Sequence, residues 1–111
     1  MSKHVFVVLT NAVDGRDDEF NDWYTKQHIP DVLRVPGIVA AQRFALSDAQ
    51  RMEPPYPHKY LALYDIDSDD LAETMRVLKQ RIGTDEMVVS DAMDRTRSAW
   101  VFHEITPKYM R

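Results

Sequence analysis

The order in which the hydrophobic period changes along this chain constrains its fold more than any other feature. Val5, Phe6, Val7, Val8 and Leu9 form an unbroken β-branched and aromatic run, the pattern of a strand buried on both faces. It lies within a strand expected over about Lys3 to Asn11. Asn11 and Asp14-Gly15 then break the strand. A helical period follows from Asp17 or Asp18, through Phe20, Trp23, Tyr24 and His28, and its acidic first turn suits the positive end of a helix dipole. Pro30 interrupts this helix, or opens one further short turn through Val32 and Leu33. Val35-Pro36-Gly37 ends the segment. Strand periods return over Ile38 to Leu46 and Tyr60 to Ile66, flanking a proline-rich loop from Ser47 to His58. A second helix is expected over Asp69 to Arg81. Its apolar stripe is Leu71, Met75, Leu78 and Ile82, its caps are Asp67, Ser68 or the Asp70–Glu73 pair, and Gly83 closes it. Thr84 to Asp94 shows no clear period, and a last strand covers Thr96 to Ile105.

The order is therefore β-α-β-β-α-β in an α+β chain, the ferredoxin-like split βαβ arrangement. Two right-handed crossovers place both helices on one face of a four-stranded antiparallel sheet. Residues of both parities along the strands are apolar, so the face left open is not simply a wet one. A second copy of the chain is the simplest cover, and a homodimer through the open sheet face is expected.

At 111 residues the chain is one domain, residues 1–111. Its net charge of −4 argues against a nucleic-acid partner and against an anionic membrane surface, both of which select basic faces. It has no cysteine, which removes disulfides, thiolate nucleophiles and cysteine-type zinc sites and favours the cytoplasm. The N-terminal apolar stretch is too short for a signal-peptide core or a membrane span. With three glycines and no glycine-rich phosphate loop, no nucleotide cofactor is expected. No metal is expected either, because no second histidine follows His28 and Asp31 at ligand spacing.

The chemistry concentrates on the first helix. At about 100° per residue, Phe20, Trp23, Tyr24, His28 and Val32 fall in one arc, and Gln27 and Asp31 fall inside it. A histidine works as acid or base near neutral pH, and a carboxylate can orient it. His28 and Asp31 are therefore the candidate catalytic pair. The opposing reading makes His28 a core group bonded to a carbonyl freed by Pro30, with Asp31 capping the last turn. Asn11, Trp23, Tyr24, Arg43, Tyr60 and Trp100 are candidates for binding substrate, with Tyr64 as a further aromatic. Arg43 would clamp a carboxylate or steady an oxyanion, or else form a salt bridge to an acidic neighbour. His4, His58 and His103 read as surface residues.

The stretch Glu19 to Asp31, with Val35-Pro36-Gly37 and Arg43-Phe44 after it, resembles the EthD-like group of the dimeric α/β-barrel superfamily. The motif covers the first 44 residues, while the element order agrees over nearly the whole chain. The resemblance implies a dimeric α/β barrel with a pocket between sheet and helices. It strengthens the case for His28 as a site residue without naming a reaction.

Two kinds of function follow. One is an enzyme without a cofactor, using His28 to move a proton on a small aromatic or alicyclic carbonyl compound in a catabolic pathway. Asp31 would orient His28, and Tyr24 or Arg43 would stabilise the enolate. Cyclase, isomerase, lyase and cofactor-free oxygenase chemistry all begin there. The other is a non-catalytic dimeric protein that binds a small hydrophobic or aromatic ligand, or plays an accessory or purely structural role.

Overall fold

The computed structural model describes residues 3–111. Its strands are β1 (Lys3–Thr10), β2 (Ile38–Ala45), β3 (Tyr60–Asp67) and β4 (Ser98–His103), and its helices are α1 (Asp17–Trp23), α2 (Ile29–Leu33) and α3 (Leu71–Arg81). A π-helical turn, Tyr24–His28, joins α1 to α2. The strands form one sheet in the order β2-β3-β1-β4, and every pairing is antiparallel. This is the expected α+β, ferredoxin-like layout.

Register decides which side chains meet the helices. Phe6 pairs with Tyr64, Val8 with Ala62 and Thr10 with Tyr60, and these rows continue to Ala41, Arg43 and Ala45 on β2. Tyr60, Ala62, Tyr64 and Ile66 are buried against Phe20, Tyr24, Val32 and Leu78, so the core lies between this sheet face and the helices. A bulge at Ile38 to Ala40 keeps Ile38 in the core and turns Val39 outward. The opposite face carries Val5, Val7, Leu9, Leu61, Leu63 and Phe44, with Trp100 63% and Phe102 55% exposed. The run from Val5 to Leu9 is accordingly half-buried in the single chain, not enclosed on both sides.

Pro30 does not end the first helix. It sits at the start of α2, which continues it, and the π turn before it changes the phase. In an ideal α-helix each step of four residues drifts about 40° around the axis. From Phe20 to Val32 that drift would reach about 120°. A π turn holds more residues per turn and takes the drift back. Phe20, Tyr24, His28 and Val32 therefore stay buried in one row, while Gln27, expected inside the arc, is exposed.

At α3 the cap is Asp70, not Asp67 or Ser68. Its side chain accepts the Glu73 N–H at 3.1 Å. Gly37, with φ +98°, lets the turn before β2 approach α3 closely. A Cβ there would lie 2.5 Å from Thr74 Oγ1. The segment from 82 to 97 is held by turns and by isolated bridges Ile82–Met87 and Ala12–Met93, burying Met87 and Ala92. Among the described residues no helix is long and apolar enough to cross a membrane.

Candidate functional site

A cavity of about 90 Å³ lies between the sheet and the helices. Phe6, Val8 and Thr10 of β1, Tyr64 of β3, Val32 of α2 and Leu78 of α3 give it mostly apolar walls. Tyr24 and His28 reach it from the π turn. Tyr24, Tyr64 and Val32 are buried, whereas Ile82, Arg97 and Ala99 are exposed and mark its mouth.

His28 is 8% exposed. Trp23 stacks on its ring at 4.8 Å between centroids and 28° between planes, and Tyr24 meets it edge-on at 4.8 Å. Trp23 is itself fixed by donating its indole N–H to the Val88 carbonyl at 3.1 Å. The two aromatic rings orient the imidazole, and Nδ1 is buried with no hydrogen-bond partner. The satisfied core histidine of the opposing reading, bonded to a freed carbonyl, is thus not what this ring nitrogen shows. Burial pushes the imidazole pKa down to about 4, with Asp31 pulling it up and Arg43 lowering it further. At neutral pH His28 is uncharged and able to accept a proton.

Asp31 is also 8% exposed, but its carboxylate accepts from the Arg34 guanidinium. It acts on His28 through its field, and the Trp23 and Tyr24 rings do the orienting that Asp31 was expected to do. The Tyr24 and Tyr64 hydroxyls bond to each other at 2.9 Å, and burial raises both phenols. They therefore stay protonated; one donates to the other, which leaves one O–H of the pair to donate elsewhere.

Arg43 does not line this cavity. Its guanidinium lies 4.4 Å from the Tyr24 ring centroid, and it donates to Thr25 Oγ1 at 2.9 Å and Asn21 Oδ1 at 2.8 Å. It forms no salt bridge among the described residues; its partners are an amide, a hydroxyl and aromatic faces. With Asn21 and Tyr60 it borders a separate open depression. The Tyr60 hydroxyl donates to Asp17 Oδ2 at 2.6 Å.

The structure does not bring Asn11 or Trp100 to His28. Asn11 is a latch for the proline-rich loop: it donates to the Pro57 carbonyl and accepts the Lys59 N–H, each at 2.8 Å. Trp100 pairs with Val7 on the open sheet face, because alternation along β4 sends it away from the helices. His58 and His4 are half-buried, each with a buried Nδ1 that has no partner, instead of lying at the surface; His103 is exposed as expected. Sequence reasoning missed Thr10 and Arg97 as cavity residues. Thr10 had a usable signal in its strand parity, shared with Phe6 and Val8, while Arg97 had none.

Among the described residues no cluster of three or more His, Asp or Glu side chains is placed to hold a metal ion. No family model matches the chain, and no curated protein matches it. Solved structures do. An ethyl tert-butyl ether degradation (EthD) family protein from Bacillus halodurans C-125 aligns with a TM-score of 0.60 at 14% identity, over 95% of this chain and 100% of that one. A monooxygenase candidate from Shewanella loihica PV-4 aligns with a TM-score of 0.61 at 14% identity, over 96% and 99%. A dimeric ferredoxin-like protein of unknown function from Thermobifida fusca YX aligns with a TM-score of 0.56 at 11% identity, over 93% and 92%. Identities this low speak to architecture alone, and over nearly its whole length this chain has the ferredoxin-like fold of an EthD family protein.

Proposed function

We propose that the chain is a small-molecule enzyme without a nucleotide cofactor that moves a proton next to a carbonyl group. The observation that carries this reading is His28, buried, uncharged at neutral pH, and lining a cavity with two hydroxyls that stay protonated. His28 takes the proton from the carbon beside the carbonyl. The electron pair of that C–H bond moves onto the carbonyl oxygen, which accepts a hydrogen bond from Tyr24 or Tyr64. Asp31 stabilises the imidazolium that forms. Where the enolate is conjugated with a C=C, return of the proton to its far carbon gives an isomer. Attack by the enolate carbon on a second carbonyl gives a ring, with the imidazolium passing its proton to the new alkoxide oxygen, and both are within this scheme.

The cavity of about 90 Å³ is smaller than the ~150 Å³ space that admits benzene. A whole aromatic or alicyclic ring therefore does not fit inside, and the reacting end of such a substrate, or a smaller carbonyl compound, does. A second copy covering the apolar sheet face completes the reading, supported by the exposure of Trp100 and Phe102 and by the dimeric fold neighbour. A chain with no cysteine suits the reducing cytoplasm.

The low pKa of His28 favours a second reading, a binding protein without turnover, because a general base works best with a pKa near the working pH. Deuterium exchange separates the two. Small ketones incubated with the protein in D2O are followed by NMR. Exchange above the buffer rate that falls ~100-fold or more in His28→Ala supports the enzyme. Exchange no faster than buffer across the panel, with ligands still stabilising the fold, leaves the binding protein.

A further inference from the structure

The cavity contains one side chain that carries a full charge at neutral pH, and it sits where the cavity meets solvent. Arg97 lines the mouth. Among the described residues it makes no hydrogen bond, ion pair or ring contact. The other arginine nearby, Arg43, is occupied by Asn21, Thr25 and the Tyr24 ring, and Arg34 is occupied by Asp31. Arg97 thus brings a guanidinium with its forked donors to the mouth of an apolar space whose inner end holds His28, Tyr24 and Tyr64. An isolated cation at a surface is ordinary; one at the mouth of a cavity whose wall also holds His28 and two tyrosines is placed to meet a ligand.

We propose that the cavity takes a short-chain keto carboxylate, with Arg97 receiving its anionic group, the walls of Phe6, Val32 and Leu78 receiving its carbon chain, and Tyr24 or Tyr64 donating to its carbonyl. This rests on the cavity being the binding site of the proposed enzyme, and it names the substrate class. A guanidinium recognises a carboxylate by two parallel N–H···O bonds. The volume selects the chain length: less space than benzene needs leaves room for a few carbons. The anion also answers the weakness of His28 as a base, since a negative charge entering the cavity favours the imidazolium and raises its pKa toward neutrality.

The test uses butyrate and its neutral counterpart butyramide, titrated into the full chain while the His28 ring proton signals are followed by NMR. Butyrate is expected to bind at least ~10-fold more tightly than butyramide, to weaken with added salt, and to raise the His28 pKa. Arg97→Gln is expected to bring the two affinities together, and Arg97→Lys to restore part of the difference. Equal binding of both probes in the wild type, or a preference for butyrate that survives in Arg97→Gln, overturns the carboxylate site while leaving the cavity and the enzyme reading intact. If neither probe moves the His28 signals at millimolar concentration, the cavity is not a ligand site and both fall.

Discussion

Acidification offers the most direct test of His28, because its burial makes a quantitative demand on stability. In the unfolded chain the imidazole titrates near its ordinary value of 6.5, and in the folded chain near 4. Between those values the unfolded state binds a proton that the folded state refuses, so stability falls as pH falls through that window and is unaffected by this group above it. Two and a half units correspond to about 3 kcal/mol at full development, of which about 2 kcal/mol is lost between pH 7 and pH 5. His28→Leu keeps an apolar group of similar size in the row of Phe20, Tyr24 and Val32 and removes the titration. Urea unfolding of both proteins at pH 7 and pH 5, at one fixed protein concentration, gives the difference directly. The other carboxylates and histidines cancel in the comparison. The wild-type midpoint is expected to drop by roughly 1 M urea more than that of the variant. Equal drops in the two proteins would refute the claim that His28 is buried in its neutral form.

Two further outcomes are expected. Trp100→Glu places a charge on the apolar sheet face, on the edge strand β4 next to Val7; if that face pairs two copies, light scattering after size-exclusion chromatography will show a dimer in the wild type and a monomer in the variant. A wild-type monomer at micromolar concentration removes the proposed pairing. Gly37→Ala must accept both a positive φ and a Cβ 2.5 Å from Thr74 Oγ1, so a loss of about 2 kcal/mol or more in urea unfolding is expected, and a loss under 0.5 kcal/mol would show that the turn and α3 are not closely packed.

The first helix shows how far local reasoning reaches. Phe20, Trp23, Tyr24 and His28 were legible as one buried side because side-chain spacing along a helix is a property of the sequence. The π turn was not legible, because it depends on how the chain accommodates Pro30 while keeping four residues against the sheet. Gln27 was misplaced for that reason alone. Asp31 was correctly buried, yet its partner turned out to be Arg34, since a carboxylate takes the cation that packing brings within reach.

What the sequence by itself determined was the order of elements, and with it the topology, because hydrophobic period and turn residues act locally and the handedness of the crossovers leaves few ways to connect them. The inventory of available chemistry was likewise fixed: histidine, tyrosine and arginine, with no thiol. Only the tertiary structure decided which of those groups meet. Strand register put Tyr64 and Thr10 beside the helix and sent Trp100 to the other face, and the return of the chain from α3 to β4 carried Arg97 to the mouth of the same cavity. Those meetings depend on distances between residues far apart in sequence, which no local period encodes.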